Sequence, residues 1–359
     1  MSVMDPPDAS LVPLSEIEKP WVKQKDPHSR WAYYITYAVA VLGIVASGIR
    51  CYFGWAQVPR IKGKLCLILD EEFNGSQLDE TIWEYELSTG GFGDQEFQIT
   101  TASSNDTFIR DGSLYIPPTL TSDVIGRATI MDGYTYNVTG CTTALINDAS
   151  TSSPPTSSCG AVSNHSTGAV INPVMSSRLT TKQSKNIQFG RVEIRAKIPN
   201  GDWINEVWRT YGWWTQRRSS YADDFHTYAL EWTQDFLRIY VDSRLHHMLD
   251  LRFNVPFFDR GNFPPVVTNG TDKIVLQNPW VHGTADAPFD KPFYLIMDVA
   301  VGGTNGWFPD NEGGKPWIDG AQNAMQRFAL AQDEWYATWP KNDFSRALVV
   351  DYVKMWQLC

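Results

Sequence analysis

The stretch Trp31–Ile49 runs nineteen residues without a charge. About twenty apolar residues in a helix match the hydrocarbon thickness of a bilayer. Trp31, Tyr33, Tyr34 and Tyr37 gather at one end and Tyr52 and Trp55 at the other. Such aromatics mark the two membrane–water interfaces. A buried core helix passes the same length test, but flanking aromatics favour a membrane. A cleavable signal peptide starts nearer the first residue and has a shorter apolar run. The sequence therefore predicts a disordered cytosolic tail over residues 1–30, a transmembrane signal anchor over 31–55, and a separate domain over 56–359.

Basic residues do not orient the span. Lys19, Lys23, Lys25 and Arg30 precede it, and Arg50, Arg60, Lys62 and Lys64 follow it. Glycosylation acceptors break this tie. Asn74, Asn105, Asn137, Asn164 and Asn269 each open an Asn-x-Ser/Thr triplet, and all five lie after the span. The expected topology is thus single-pass type II, with the C-terminal domain lumenal or extracellular. Cysteine use agrees with an oxidising compartment. Cys51 sits at the membrane edge, which leaves Cys66, Cys141, Cys159 and Cys359 as an even set. Four cysteines allow three pairings. Cys141 and Cys159 bracket a stretch, 142–158, that holds nine Ser or Thr and two Pro. Closing it with one bridge leaves Cys66–Cys359 to tie the first strand to the last.

Composition narrows the function. Thirty basic against forty acidic residues give a net charge of −10, which argues against a nucleic-acid partner. No Cys/His spacing suggests zinc, so no metal or other cofactor is expected. Fifteen tryptophans are unusually many. Trp fills β-sandwich cores and also forms flat platforms for sugar rings, and both uses stay open at this point. Arg191–Ile198 alternates charged and apolar residues, as a half-buried strand does. Tyr228–Trp232, Phe236–Asp242, Phe293–Ala300 and Leu348–Trp356 are also strand-like, with Gly, Pro and Asn clusters between them. Only Gly320–Gln332 has a helical pattern. The expected architecture is an all-β, antiparallel sandwich with long loops.

Several motifs occur in an order that resembles glycoside hydrolase family 16. They are Asp70-Glu-Glu-Phe-Asn-Gly, then Gly90-Gly-Phe-Gly-Asp-Gln-Glu-Phe-Gln, Ser176-Ser-Arg-Leu-Thr-Thr-Lys and Phe189-Gly-Arg-Val-Glu-Ile-Arg-Ala-Lys-Ile-Pro. Phe225-His-Thr-Tyr-Ala-Leu-Glu-Trp-Thr, Val301-Gly-Gly and Val350-Asp-Tyr-Val complete the series. The resemblance covers residues 66–359 and is greatest to laminarinases, β-1,3-glucan recognition proteins and membrane-anchored members of fungal walls. It implies a concanavalin-like β-jelly-roll with a concave sugar-binding face and β-glucan as the partner. It also implies substrate-binding roles. Arg178 would reach sugar hydroxyls, unless it forms a structural ion pair. Asp94 stands where relatives often carry Asn, and so lacks the amide donor. Trp203 and Trp307 would stack on glucose or fill the core. Gly302 and Gly303 are backbone devices.

One departure decides the chemistry. Members of that family hydrolyse by retention, with two carboxylates about 5–5.5 Å apart on one strand of pattern Glu-x-Asp-x-x-Glu. This chain has no such strand. Ile204-Asn205 runs directly into Glu206-Val-Trp-Arg, as though internal strands had been removed at 204–206. Asp70, Glu71, Glu72, Glu193, Asp223, Asp224 and Glu231 offer no substitute pair and read as solvated charge. A lone Glu206 cannot perform two-carboxylate chemistry, and His246-His247 reads as surface. The expectation is a membrane-anchored pseudoenzyme that binds β-glucan without cleaving it. The alternative is a truncated isoform or gene model of a retaining endo-β-glucanase or transglycosylase. A third possibility is a shortened chain that folds poorly, because excised strands leave unpaired sheet edges.

Overall fold

The computed structural model describes residues 27–93, 95–142, 158–204, 219–245, 247–270, 272–341 and 343–359. The expected tail up to residue 26, most of the Ser/Thr-rich stretch, Asp94, Glu206 and His246 lie outside these residues. The chain divides into two units, Met1–Arg60 and Ile61–Cys359.

The first unit holds a helix, Pro27–Gln57, that extends beyond the apolar run at both ends. Proline suits a first helical position, since its missing N–H would have no partner there. Pro59 disfavours helical geometry at the residue before it, which accounts for the stop. The helix is long and apolar enough to cross a membrane, and its described side chains are all exposed. The Thr36 hydroxyl donates to the Ala32 carbonyl at 2.8 Å, so it needs no water partner in an apolar setting.

The second unit is a two-sheet sandwich. In the larger sheet, His247–Arg252, Phe236–Val241, His226–Trp232 and Gly190–Lys197 follow one another, antiparallel, to Leu348–Leu358. That long strand has two neighbours on its other side. Ser113–Ile116 pairs with its start and Leu65–Glu71 with its end. The alternation read in the sequence sets the faces. In Gly190–Lys197, Val192 and Ala196 are buried while Arg191, Glu193 and Arg195 are only half-buried.

The opposing sheet is built from short pieces. Arg178–Thr180 lies between Glu84–Tyr85 and Ile296–Asp298. Val174–Ser176, on the same run of chain, lies between Gln98–Thr100 and Thr119–Leu120. The pair Gln98–Thr100 and Val174–Ser176 is parallel, which departs from the fully antiparallel sandwich expected. The continuous strand expected over 293–300 is also divided. Phe293–Tyr294 pairs with Asn186–Ile187, and Ile296–Asp298 pairs with Arg178–Thr180. The Thr181 hydroxyl causes the break, accepting the Leu295 N–H at 3.0 Å in place of a backbone carbonyl.

Between the sheets, Leu179 and Met297 share a core with Val192, Val350, Val353 and Met355. Among the described residues, five tryptophans are buried in it: Trp83, Trp232, Trp317, Trp335 and Trp339. For these five the choice between core and platform is settled. The helical region starts later and runs further than its pattern predicts, as Ala324–Leu330 and Gln332–Ala337. Gly320 has φ +75, which a right-handed helix cannot include. The apolar face instead continues from Phe328 to Trp335, whose rings stack at 4.5 Å. Short helices at Ser122–Ile125, Arg127–Met131 and Phe257–Arg260 had no sequence signal. Both disulfides form as read, Cys66–Cys359 and Cys141–Cys159, while Cys51 is unpaired and exposed.

Candidate functional site

The smaller sheet presents Arg178 from its central strand. Arg178 Nε donates to Glu86 at 2.7 Å, and one terminal nitrogen donates to Asp298 at 2.8 Å. The guanidinium carbon lies 4.1 Å from the centre of the Phe92 ring. Burial works against this charge, but Asp298 and Glu86 together hold its pKa above the ordinary guanidinium value. Of the two roles left open for Arg178, the ion pair is the one the geometry shows. A guanidinium has five N–H donors, so donors remain beyond these two bonds. Glu86 and Asp298 were missed by sequence reasoning. The alternation Glu84, Glu86 was a usable signal for the first, whereas nothing local pointed to the second.

Other acids are occupied elsewhere. Glu231 is fully buried rather than solvated, held by Arg244 on the larger sheet, which corrects the expectation. Glu193 pairs with Arg191. Asp70 and Glu72 both reach Lys354, and Glu71 accepts the Phe73 N–H at 2.9 Å. Among the described residues, no group of three or more His, Cys, Asp or Glu could hold a metal.

A glycine turn joins the smaller sheet to the loop that carries Trp307. Gly302 has φ +66, and a Cβ there would stand 2.3 Å from the Phe97 ring, so only glycine fits. The loop is clamped by Lys315, whose fully buried ammonium donates to Phe308 O, Asp310 and Asp319 at 2.6–2.8 Å. These contacts answer the cost of burying a cation. Trp307 is half-buried beside this clamp. Trp203 has φ +63, a strained value for a residue with a Cβ. Its ring meets Phe308 and Trp317 edge-on at 5.3 and 5.2 Å. Next to it, Ile204 bridges to Val301. The structure therefore brings Arg178 together with Glu86, Asp298 and Phe92, and puts Trp203 in the aromatic cluster around Trp317, with Trp307 half-buried on the neighbouring loop. Asn74, Asn105, Asn137 and Asn164 are exposed, and Asn269 lies at the turn of the hairpin Val266–Asn269 and Asp272–Val275.

No protein-family model matches the chain. A β-1,3-glucan-binding protein of Penaeus monodon is 31% identical over 350 residues, covering 82% of this chain and 90% of that protein. Since 82% of this chain is about 294 residues, the aligned span of 350 exceeds what this chain contributes to it. β-1,3-glucan-binding protein 1 of Manduca sexta is 25% identical, covering 84% of this chain and 66% of that one. Among solved structures, the laminarinase of Rhodothermus marinus is 22% identical with a TM-score of 0.43, covering 83% of this chain and all of that one. On the shared identity across its sandwich, the chain belongs to the β-1,3-glucan-binding protein family.

Proposed function

We propose that the sandwich binds β-1,3-glucan without hydrolysing it, outside the cytosol and held to a membrane by the helix Pro27–Gln57. The observation that carries this reading is the 31% identity to a β-1,3-glucan-binding protein through 82% of the chain. The absence of a paired-carboxylate strand supports binding without cleavage, since retention needs two acids facing one bond. The apolar helix and the two disulfides point to the secretory pathway, and type II anchoring fits the exposed acceptor asparagines. The test uses the full chain in detergent. It should sediment with insoluble β-1,3-glucan, resist competition by an α-glucan, and release no reducing ends over a day. Release of reducing ends by the purified chain would overturn the non-catalytic reading.

A second reading has an observation of its own. The aligned span of 350 exceeds the residues this chain contributes to it, and Ile296–Asp298 has a strand neighbour on one side only among the described residues. Both fit a truncated form of a hydrolase with an additional acidic strand. Sequencing the transcript across the codons for Ile204 and Asn205 decides it. An in-frame insert encoding Glu-x-Asp makes the full-length product a retaining glucanase. A direct join removes that reading.

A further inference from the structure

Among the described residues of the second unit, fifteen large apolar side chains are exposed, and eight of them fall within residues 255–294. Val255, Phe263, Val266, Val275, Val281 and Phe293 are 41–66% exposed. Contacts tie this stretch into one body. The Leu276 N–H donates to Pro265 O at 3.1 Å, and the Phe258 and Phe263 rings lie 5.1 Å apart. Phe257 meets Trp280 and Phe289 edge-on at 5.7 and 5.5 Å. A domain surrounded by water rarely gathers exposed apolar side chains in this way without a partner for them.

Strand register shows which end of the sandwich carries the stretch. The chain leaves the larger sheet at Arg252, which stands opposite Phe236; next to it Leu237 faces Trp232, and Trp232 faces Gly190. Gly190 in turn faces Gln357, beside Leu358, whose partner is Leu65. The chain returns at Phe293, paired with Ile187, and nearby Phe189 O accepts the Leu358 N–H at 3.1 Å. Departure and return are thus both at the end where Leu65 enters the sheet. The acceptor Asn74 follows the other end of Leu65–Glu71. Asn105 precedes Phe108–Arg110, which adjoins the start of Leu348–Leu358 through Ser113–Ile116. Within the hairpin, Val266 pairs with Val275 at the root, while Asn269 pairs with Asp272 at the turn, past the apolar pairs.

Covalent reach identifies the partner. Residues 58–60 alone join the helix Pro27–Gln57 to the second unit. Even fully extended, the chain from Gln57 to Leu65 covers at most about 29 Å, so a bilayer crossed by that helix lies within this distance of the Leu65 end. Lys62, Lys64, Lys182 and Lys291 are exposed around the same end. Lys182 Nζ lies 5.9 Å from the centre of the Tyr294 ring. Lysine beside an exposed tyrosine suits the headgroup layer, where each has an apolar body and a polar tip. We propose that residues 255–294 dock on the surface of the phospholipid bilayer that the helix crosses. The proposal rests on the membrane-anchoring reading given above. A spanning helix fixes one point of the sandwich; the docked patch adds a second, and turns the end bearing Asn74 and Asn105 away from the membrane.

Nitroxide labels on the full chain in phosphatidylcholine vesicles test it. With the unpaired Cys51 replaced by Ser, single cysteines enter as Val41→Cys, Val275→Cys, Val281→Cys and Asn105→Cys. Val275 and Val281 are both 66% exposed, and substitutions at such surface positions change stability little. Oxygen concentrates in lipid and a nickel chelate stays in water, so their relative effects on spin relaxation report the phase around each label. The labels at 41, 275 and 281 should respond more to oxygen, and the label at 105 more to nickel. A label at 41 in lipid with those at 275 and 281 in water would overturn the docking and leave the anchor standing. A label at 41 in water would overturn both. Spectral broadening by a neighbouring label at 275 or 281 would put a second copy of the chain on the patch and overturn docking on lipid.

Discussion

Arg178 illustrates how much one residue's meaning depends on chain it cannot see. Its partners Glu86 and Asp298 stand 92 and 120 residues away in sequence, so the motif around it named the residue and not its bond. The side chains of Arg178 and Glu86 are only 15% and 10% exposed. Arg178→Ala leaves two carboxylates without their cation, and the expected loss is about 3 kcal/mol in urea unfolding. A loss under about 1 kcal/mol, the range of exposed pairs, would show that water already screens the cluster. Asp106 makes the opposite case. Burial raises its pKa, against the lowering effect of hydrogen bonds from Thr101 and Thr119. An unfolded chain releases that proton first as pH rises, so the penalty on the native state grows from the ordinary carboxylate range up to the raised folded value and then stays constant. Asp106→Asn removes the charge while keeping an acceptor for one threonine. Its urea midpoint should be above wild type at pH 7, and the gap should shrink as pH falls towards 3.

At the scale of elements, the long strands were readable and the short ones were not. Gly190–Lys197 and Leu348–Leu358 pair through eight positions, and their alternation reflects one buried face. The pieces of the smaller sheet are two or three residues long, too short to show a period. The break at Leu295 comes from a hydroxyl whose parent, Thr181, lies 114 residues earlier. Tryptophan was ambiguous for a related reason, because core and platform draw on the same side chain. Trp317 touches Phe97, Trp203, Phe308 and Phe328, and its Nε1 donates to Gly303 O at 2.8 Å. Trp317→Ala should therefore cost about 4 kcal/mol, as large-to-small changes in cores do. Trp307→Ala, on the half-buried loop, should cost under about 1 kcal/mol and lower glucan retention in the sedimentation assay. Equal losses of stability would place Trp307 in the core.

For the whole molecule, the two bridges were readable because four cysteines remained once Cys51 was set at the membrane. They close loops of very different length, with sequence separations of 293 and 18. In the chain-entropy description a long loop gains more, about 6 kcal/mol against about 3 for the short one. Replacing Cys66 and Cys359 by Ser should lower the Tm by more than replacing Cys141 and Cys159, as differential scanning calorimetry would show. The reverse order would mean that the strand pair Leu65–Glu71 and Leu348–Leu358 already holds those residues together. What could not be read at this scale was the pairing of the smaller sheet, whose parallel contact joins residues 98–100 to residues 174–176.

The Cys66–Cys359 bridge also makes the sandwich a covalent ring. A protease that cuts the backbone once, anywhere between residues 67 and 358, opens that ring and frees nothing. The two pieces stay joined through sulfur, and the piece beyond the cut stays attached to the helix Pro27–Gln57. Between residues 142 and 158 a second, smaller ring lies inside the first. A nicked molecule thus migrates as one band until reductant is added, whereas the same cut would shed part of a linear chain.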